Sequence, residues 1–157
     1  MDNSNAKAII AVDKILTTLV FIFYPCMLIY IILTNPVSEW PSLSAFVFVP
    51  GISFILVSIF RKIFNAPRPY EVNPGLNPII KKDSKGKSFP SRHIFSIFII
   101  SVTVYRIWPV IGILIGIAGV CLAYCRVKGG VHFLKDVIAG AIIGILLGII
   151  GFAVWPL

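Results

Sequence analysis

ILTTLVFIFYPCMLIYIIL, from Ile15 to Leu33, runs nineteen positions without a charged side chain. As a helix rising about 1.5 Å per residue it covers about 30 Å, the depth of a bilayer's hydrocarbon core. With lipid as the solvent, every backbone N–H and C=O has to be paired inside the protein, and continuous helices do this segment by segment. The stretch therefore sets the expected fold class, an all-α polytopic membrane helix bundle. A signal peptide is the other reading of an apolar run so near Met1. This run is long, however, Lys7 and Lys14 precede it, and no small-residue cleavage site follows it. It is read as a retained helix.

Working outward, a second apolar run extends from Leu43 to Phe60. A third goes from about His93 to Trp108, interrupted by Arg106, whose long stem lets its guanidinium snorkel to the interface beside Trp108. Pro109 marks a tight turn into a fourth run, Val110 to about Cys125. The fifth extends from Val137 to the end, with Trp155 as an interfacial anchor. About five transmembrane helices are expected, in one domain over residues 1–157. The composition agrees: 58% hydrophobic against 13% charged residues and a mean hydropathy of +0.97 exclude an ordinary soluble domain. Glycine and proline occur without a period, and long apolar runs exclude disorder. The glycines at 112, 116 and 119, and at 140, 144, 148 and 151, fall on one helical face in each of the last two runs, as close helix packing requires. Cys26, Cys121 and Cys125 lie inside apolar segments, which suits small buried side chains better than disulfides, zinc or redox chemistry.

The 14 Lys and Arg against 6 Asp and Glu leave a net charge of +8, gathered mostly into two polar stretches, 61–92 and 126–136. On a chain this apolar, such charge serves topology, anionic headgroups or a phosphate ligand. A nucleic-acid partner, which needs a broad solvated basic face, is not expected. Counting crossings puts the loops after the second and fourth helices on one face, so the two basic stretches can meet.

In the longer stretch, Arg61 and Lys62 stand at a helix end, where ordinary positive flanking also explains them. Arg68 lies between Pro67 and Pro69, which stiffen the turn around it, and a rigidly held guanidinium suits phosphate oxygens. The stretch ends in Ser88-Phe89-Pro90-Ser91-Arg92-His93. Ser91 is placed to cap a helix whose first N–H groups face an anion, and His93 in the first turn can exchange a proton near neutral pH. In the shorter stretch a helix beginning near His132 puts Asp136 one turn later on the same face. Its carboxylate can then orient the imidazole as a nucleophile or base, unless Asp136 is simply a helix cap. Gly129 and Gly130 let the chain turn back so that Arg126 faces the same pocket. A cysteine nucleophile would need Cys-x5-Arg, which neither Cys121 nor Cys125 provides. Asp136, Asp83 and Glu71 make no carboxylate cluster, so neither a metal nor any other cofactor is expected.

Taken together, Arg61 or Lys62 leading to Arg68-Pro69, then Pro90-Ser91-Arg92-His93, then Arg126-x5-His132-x3-Asp136 resembles the type 2 phosphatidic acid phosphatase superfamily. Its motifs are Lys-x6-Arg-Pro, Pro-Ser-Gly-His and Ser-Arg-x5-His-x3-Asp. The resemblance covers residues 61–157. At strict spacing the first cation is Arg61, and Lys62 is the expected residue type one place late. Arg92 replaces the motif glycine, and Cys125 stands where serine is usual. Many relatives have six helices, so this chain looks like a short version lacking one near its N-terminus.

The resemblance implies that His132, oriented by Asp136, attacks phosphorus to form a phosphohistidine. Arg68, Arg126 and Arg61 or Lys62, with Ser91 and Arg92, would hold the phosphoryl oxygens, and His93 would protonate the leaving group. Vanadate should mimic the transition state. The implied partners are membrane lipids and a lipid phosphate or diphosphate; undecaprenyl diphosphate, phosphatidylglycerophosphate and phosphatidic acid all qualify. A non-catalytic membrane protein binding anionic lipids or a partner through its basic loops, as Lys81, Lys82, Lys85 and Lys87 alone could do, is the alternative. The resemblance implies a multi-pass protein of the cell membrane with its site on the extracytoplasmic face, whereas the positive-inside rule applied to these lysines, Lys128 and Lys135 points to the cytoplasm.

Overall fold

The computed structural model describes residues 3–73, 75–80 and 85–155. Five long helices run α1 (Asn3–Thr34), α2 (Ala45–Phe64), α3 (Arg92–Tyr105), α4 (Pro109–Lys128) and α5 (Leu134–Val154). Short helical turns at Trp40–Leu43 and Pro69–Val72 lie in the connections. Lys81, Lys82 and Asp83 fall outside the described residues.

Four of the helices are long and apolar enough to cross a membrane, α2 counted with its flanking turns, and α3 is a shorter apolar helix of 14 residues. The architecture is the expected all-helical membrane bundle, with shifted boundaries. The third segment stops at Tyr105 instead of Trp108, because Pro109 opens α4 and the residues before it turn. α1 begins a dozen residues ahead of the apolar run and takes in Lys7, Asp13 and Lys14, with Asp13 paired to Arg126 inside the bundle.

α3 is the central helix, packed most extensively against α5 and α4, and its Ile94, Phe95, Ile97 and Ile99 are buried. Glycine makes this possible. A Cβ at Gly144 would stand 2.6 Å from the Phe95 carbonyl oxygen, and one at Gly140 2.7 Å from that of Ser91. α1 lies along α4, while α2 touches α3 and α5. At the end remote from the basic loops, Trp155 stacks on Phe48 (5.6 Å between centroids) and Arg106 lies 5.7 Å over the Phe152 ring. Of the cysteines, Cys125 is buried as expected, but Cys26 and Cys121 are exposed on outer helix faces; all three are free thiols.

Candidate active site

The basic loops do meet. α2 ends where Asn65 adopts a left-handed conformation (φ 42°) and its N–H donates to the Arg61 carbonyl (3.1 Å). Proline at 69 keeps Arg68 extended, and Glu71 fixes it there. The Glu71 carboxylate accepts the Arg68 N–H (2.7 Å) and the Gly86 N–H (2.9 Å). The Arg68 side chain, 2% exposed, donates from Nε to the Gly86 carbonyl (3.0 Å) and from Nη1 to the Val131 carbonyl (3.1 Å). One buried guanidinium thus ties the long loop to the residue before His132. Ile80 adds a backbone bond to Gly129 (3.2 Å).

Arg61 is also buried and donates to the carbonyls of Lys87, Ser88 and Pro90, so it braces the segment leading into α3. Lys62 next to it is exposed. Both line a polar cavity of about 330 Å³ together with Arg68, Arg92 and His93, and Lys85 and Lys87 complete its basic wall. Arg68 and Arg92 both lie within electrostatic reach of Arg61. Such a concentration of cations suits an anionic ligand.

His132 and Asp136 are 2% and 1% exposed, with His132 Nδ1 3.4 Å from Asp136 Oδ2. The expectation that α5 begins near His132 is corrected: it begins at Leu134, and the imidazole reaches Asp136 from the preceding turn. Gly130, with φ +74°, supplies the backbone conformation that lets it do so. The two readings of Asp136 prove compatible, because Oδ2 also accepts the Phe133 N–H (3.0 Å) and so caps α5. Ser88 joins the pair, donating from Oγ to Asp136 Oδ2 (2.5 Å) and lying 3.3 Å from His132 Nδ1.

Two further expectations change. Ser91 is the N-cap residue of α3, but its side chain makes no capping bond. Its buried Oγ has no hydrogen-bond partner, and its N–H donates to the Asp136 carbonyl (2.8 Å). Arg126, expected to face the phosphate pocket, is buried on the last turn of α4 with Nε 2.6 Å from Asp13 Oδ1 of α1. It stays within electrostatic reach of Arg68. The sequence reading missed Ser88, Glu71 and Asp13. Among the described residues no group of three or more His, Cys, Asp or Glu is placed to hold a metal ion.

A second cavity, about 370 Å³ and apolar, runs between α1, α2 and α3 past Leu16, Tyr24, Phe54 and Ile100. It shares Arg92 and His93 with the polar cavity, so the two meet at the first turn of α3. The Arg92 guanidinium lies over the Phe54 ring at 5.4 Å, covering apolar wall with a cation.

Residues 42–156 match the model of the PAP2 superfamily. The chain belongs to that superfamily. Among relatives, the bacitracin transport permease protein BcrC of Bacillus licheniformis is 28% identical over 116 residues. The match takes in 67% of this chain and 53% of BcrC, so the chain spans about half the length of that relative. The crystal structure of Aquifex aeolicus LpxE superposes with a TM-score of 0.71 at 24% identity, covering 96% of this chain and 93% of that one. A PAP2-type phosphatidylglycerolphosphate phosphatase from Bacillus subtilis gives 0.68 at 21% identity, over 98% and 77%. These likenesses establish the PAP2 membrane fold.

Proposed function

We propose that this PAP2 chain is an integral membrane phosphatase that hydrolyses a lipid-linked phosphate or diphosphate through a phosphohistidine. The observation that carries the reading is the junction at the start of α3, where Arg92 and His93 line both the cationic cavity and the apolar groove. An amphiphile with a phosphorylated head and a hydrocarbon tail fits that pair of cavities; a free phosphate ester uses only one.

The reaction follows from the chemistry of the side chains. Asp136 faces Nδ1 of His132, so Nε2 attacks the terminal phosphorus, forming the N–P bond as the P–O bond to the departing lipid alcohol or lipid monophosphate breaks. Arg68, with Arg61, Lys62 and Arg92 around it, stabilises the charge that develops on the phosphoryl oxygens. His93 donates the proton that the leaving oxygen needs, then takes one from the water that cleaves the N–P bond. Phosphate departs, leaving a lipid alcohol from a monophosphate or a lipid monophosphate from a diphosphate. The reading assigns the site to the extracytoplasmic face of the cell membrane. Labelling of Lys85→Cys by an impermeant thiol reagent in intact cells checks that assignment, and protection of the cysteine would reverse it.

The decisive experiment is phosphate release by purified protein from undecaprenyl diphosphate, phosphatidylglycerophosphate and phosphatidic acid, with vanadate as inhibitor. His132→Ala should lower release by at least about a thousandfold. Equal release by mutant and wild type would sink the proposal and leave a basic membrane protein that binds anionic lipids.

A further inference from the structure

Asp13 is a carboxylate in the N-terminal half of α1, 8% exposed and within a helix long and apolar enough to cross the membrane. Its neighbour Lys14 is exposed; Asp13 faces the bundle. An ionised group so placed is costly unless it is paired, and in membrane proteins it commonly marks functional machinery. Its partner is Arg126, with Oδ1 and Nε 2.6 Å apart, and Thr17 one turn along α1 accepts from Nη2 at 3.4 Å. α1 carries none of the three PAP2 motifs, yet it holds the arginine of the third.

The geometry points to Asp13 as a positioning residue for anion binding by Arg126. A guanidinium offers five N–H donors in a planar fork, and Nε with Nη2 forms one edge of it. α1 occupies that edge and so fixes the plane of the fork, while Arg126 stays within electrostatic reach of Arg68, which lines the polar cavity. Arg126 is tied to the rest of the site through its own backbone. Its carbonyl accepts the Val131 N–H (3.2 Å), and the Val131 carbonyl accepts Arg68 Nη1. Asp13 also removes a net cation from a region already crowded with arginines, so Arg126 can stay charged and close to Arg68 before substrate arrives. Docking of α1 against α4 and anion binding by Arg126 therefore share one ion pair.

The inference deepens the phosphatase reading and depends on it. The test is a double-mutant cycle on full-length protein in detergent, with Asp13→Ala, Arg126→Ala and the double variant compared for kcat, KM and vanadate Ki. Asp13→Ala should lower kcat/KM and weaken vanadate by about tenfold, and should cost nothing more once Arg126 is alanine. Asp13→Asn keeps the shape without the charge and should fall between wild type and alanine. It also serves if the alanine variant does not fold. Losses that multiply in the double variant would mean that Asp13 acts independently of Arg126, and tighter vanadate binding would make it a competitor of the substrate; either overturns the inference. No effect of either Asp13 variant on an active enzyme overturns it too. A wild type that neither releases phosphate nor binds vanadate overturns the phosphatase reading itself, and this inference with it.

Discussion

The α3–α4–α5 half of the molecule and the α1–α2 half are built on different terms. In the first, glycines bring α5 against the backbone of α3, and the packed pair holds Ser91 against Asp136 and Ser88 against both Asp136 and His132. In the second, α1 and α2 stand apart over α3, leaving an apolar groove of about 370 Å³ between them. On the proposed reading, close packing surrounds the groups assigned to the chemistry, and open packing surrounds the place assigned to the substrate's tail. Tight packing preserves positions to a fraction of an ångström, which chemistry at phosphorus needs, while a tail needs only volume and an apolar wall.

Substitutions can break this contrast in turn. Ser88→Ala removes a hydrogen bond to the buried Asp136 and should lower kcat by about 10- to 100-fold with KM little changed, measured by phosphate release. A change in KM alone would move Ser88 from positioning His132 to binding substrate. Gly144→Ala drives a methyl into the Phe95 carbonyl and should destabilise the packed half by about 1–3 kcal/mol. Gly51→Ala, where an added Cβ meets nothing within 4 Å, should be close to neutral in the same thermal-unfolding assay. Equal destabilisation by the two would erase the distinction between the halves. Gly51→Phe should fill the groove and reduce turnover of a long-chain lipid phosphate about tenfold more than that of a short-chain analogue. The smallest effect is expected at the junction. Arg92→Gly, which restores the motif residue, removes one exposed cation among several and should raise KM about threefold.

Much of the fold was legible because lipid as solvent leaves a simple signature, uninterrupted apolar length. The helix ends were not. α1 reaches back past Lys14 and Asp13, and Asp13 is paired with Arg126, far along the chain; no local pattern announces such pairing. His93, His132, Asp136 and Arg68 were readable from residue chemistry at fixed spacing near helix ends. Ser88 was not, because its contact with Asp136 spans 48 residues of chain, and of Glu71's contacts only the one to Arg68, three residues away, has a local spacing, while its bond to Gly86 spans 15 residues. Ser91 shows the opposite error, in which the capping position was right and the capping bond wrong. The backbone there turns its N–H to Asp136, and the hydroxyl is buried without a partner.

The Arg92–Phe54 stack gives the junction a thermodynamic meaning. A tail that moves Phe54 also moves a cation of the phosphate cavity, and an anion that draws on Arg92 uncovers apolar wall. On the proposed phosphatase reading, head and tail are then heterotropic ligands of one another. Linkage requires that whatever factor the tail adds to anion affinity, the anion adds to tail affinity.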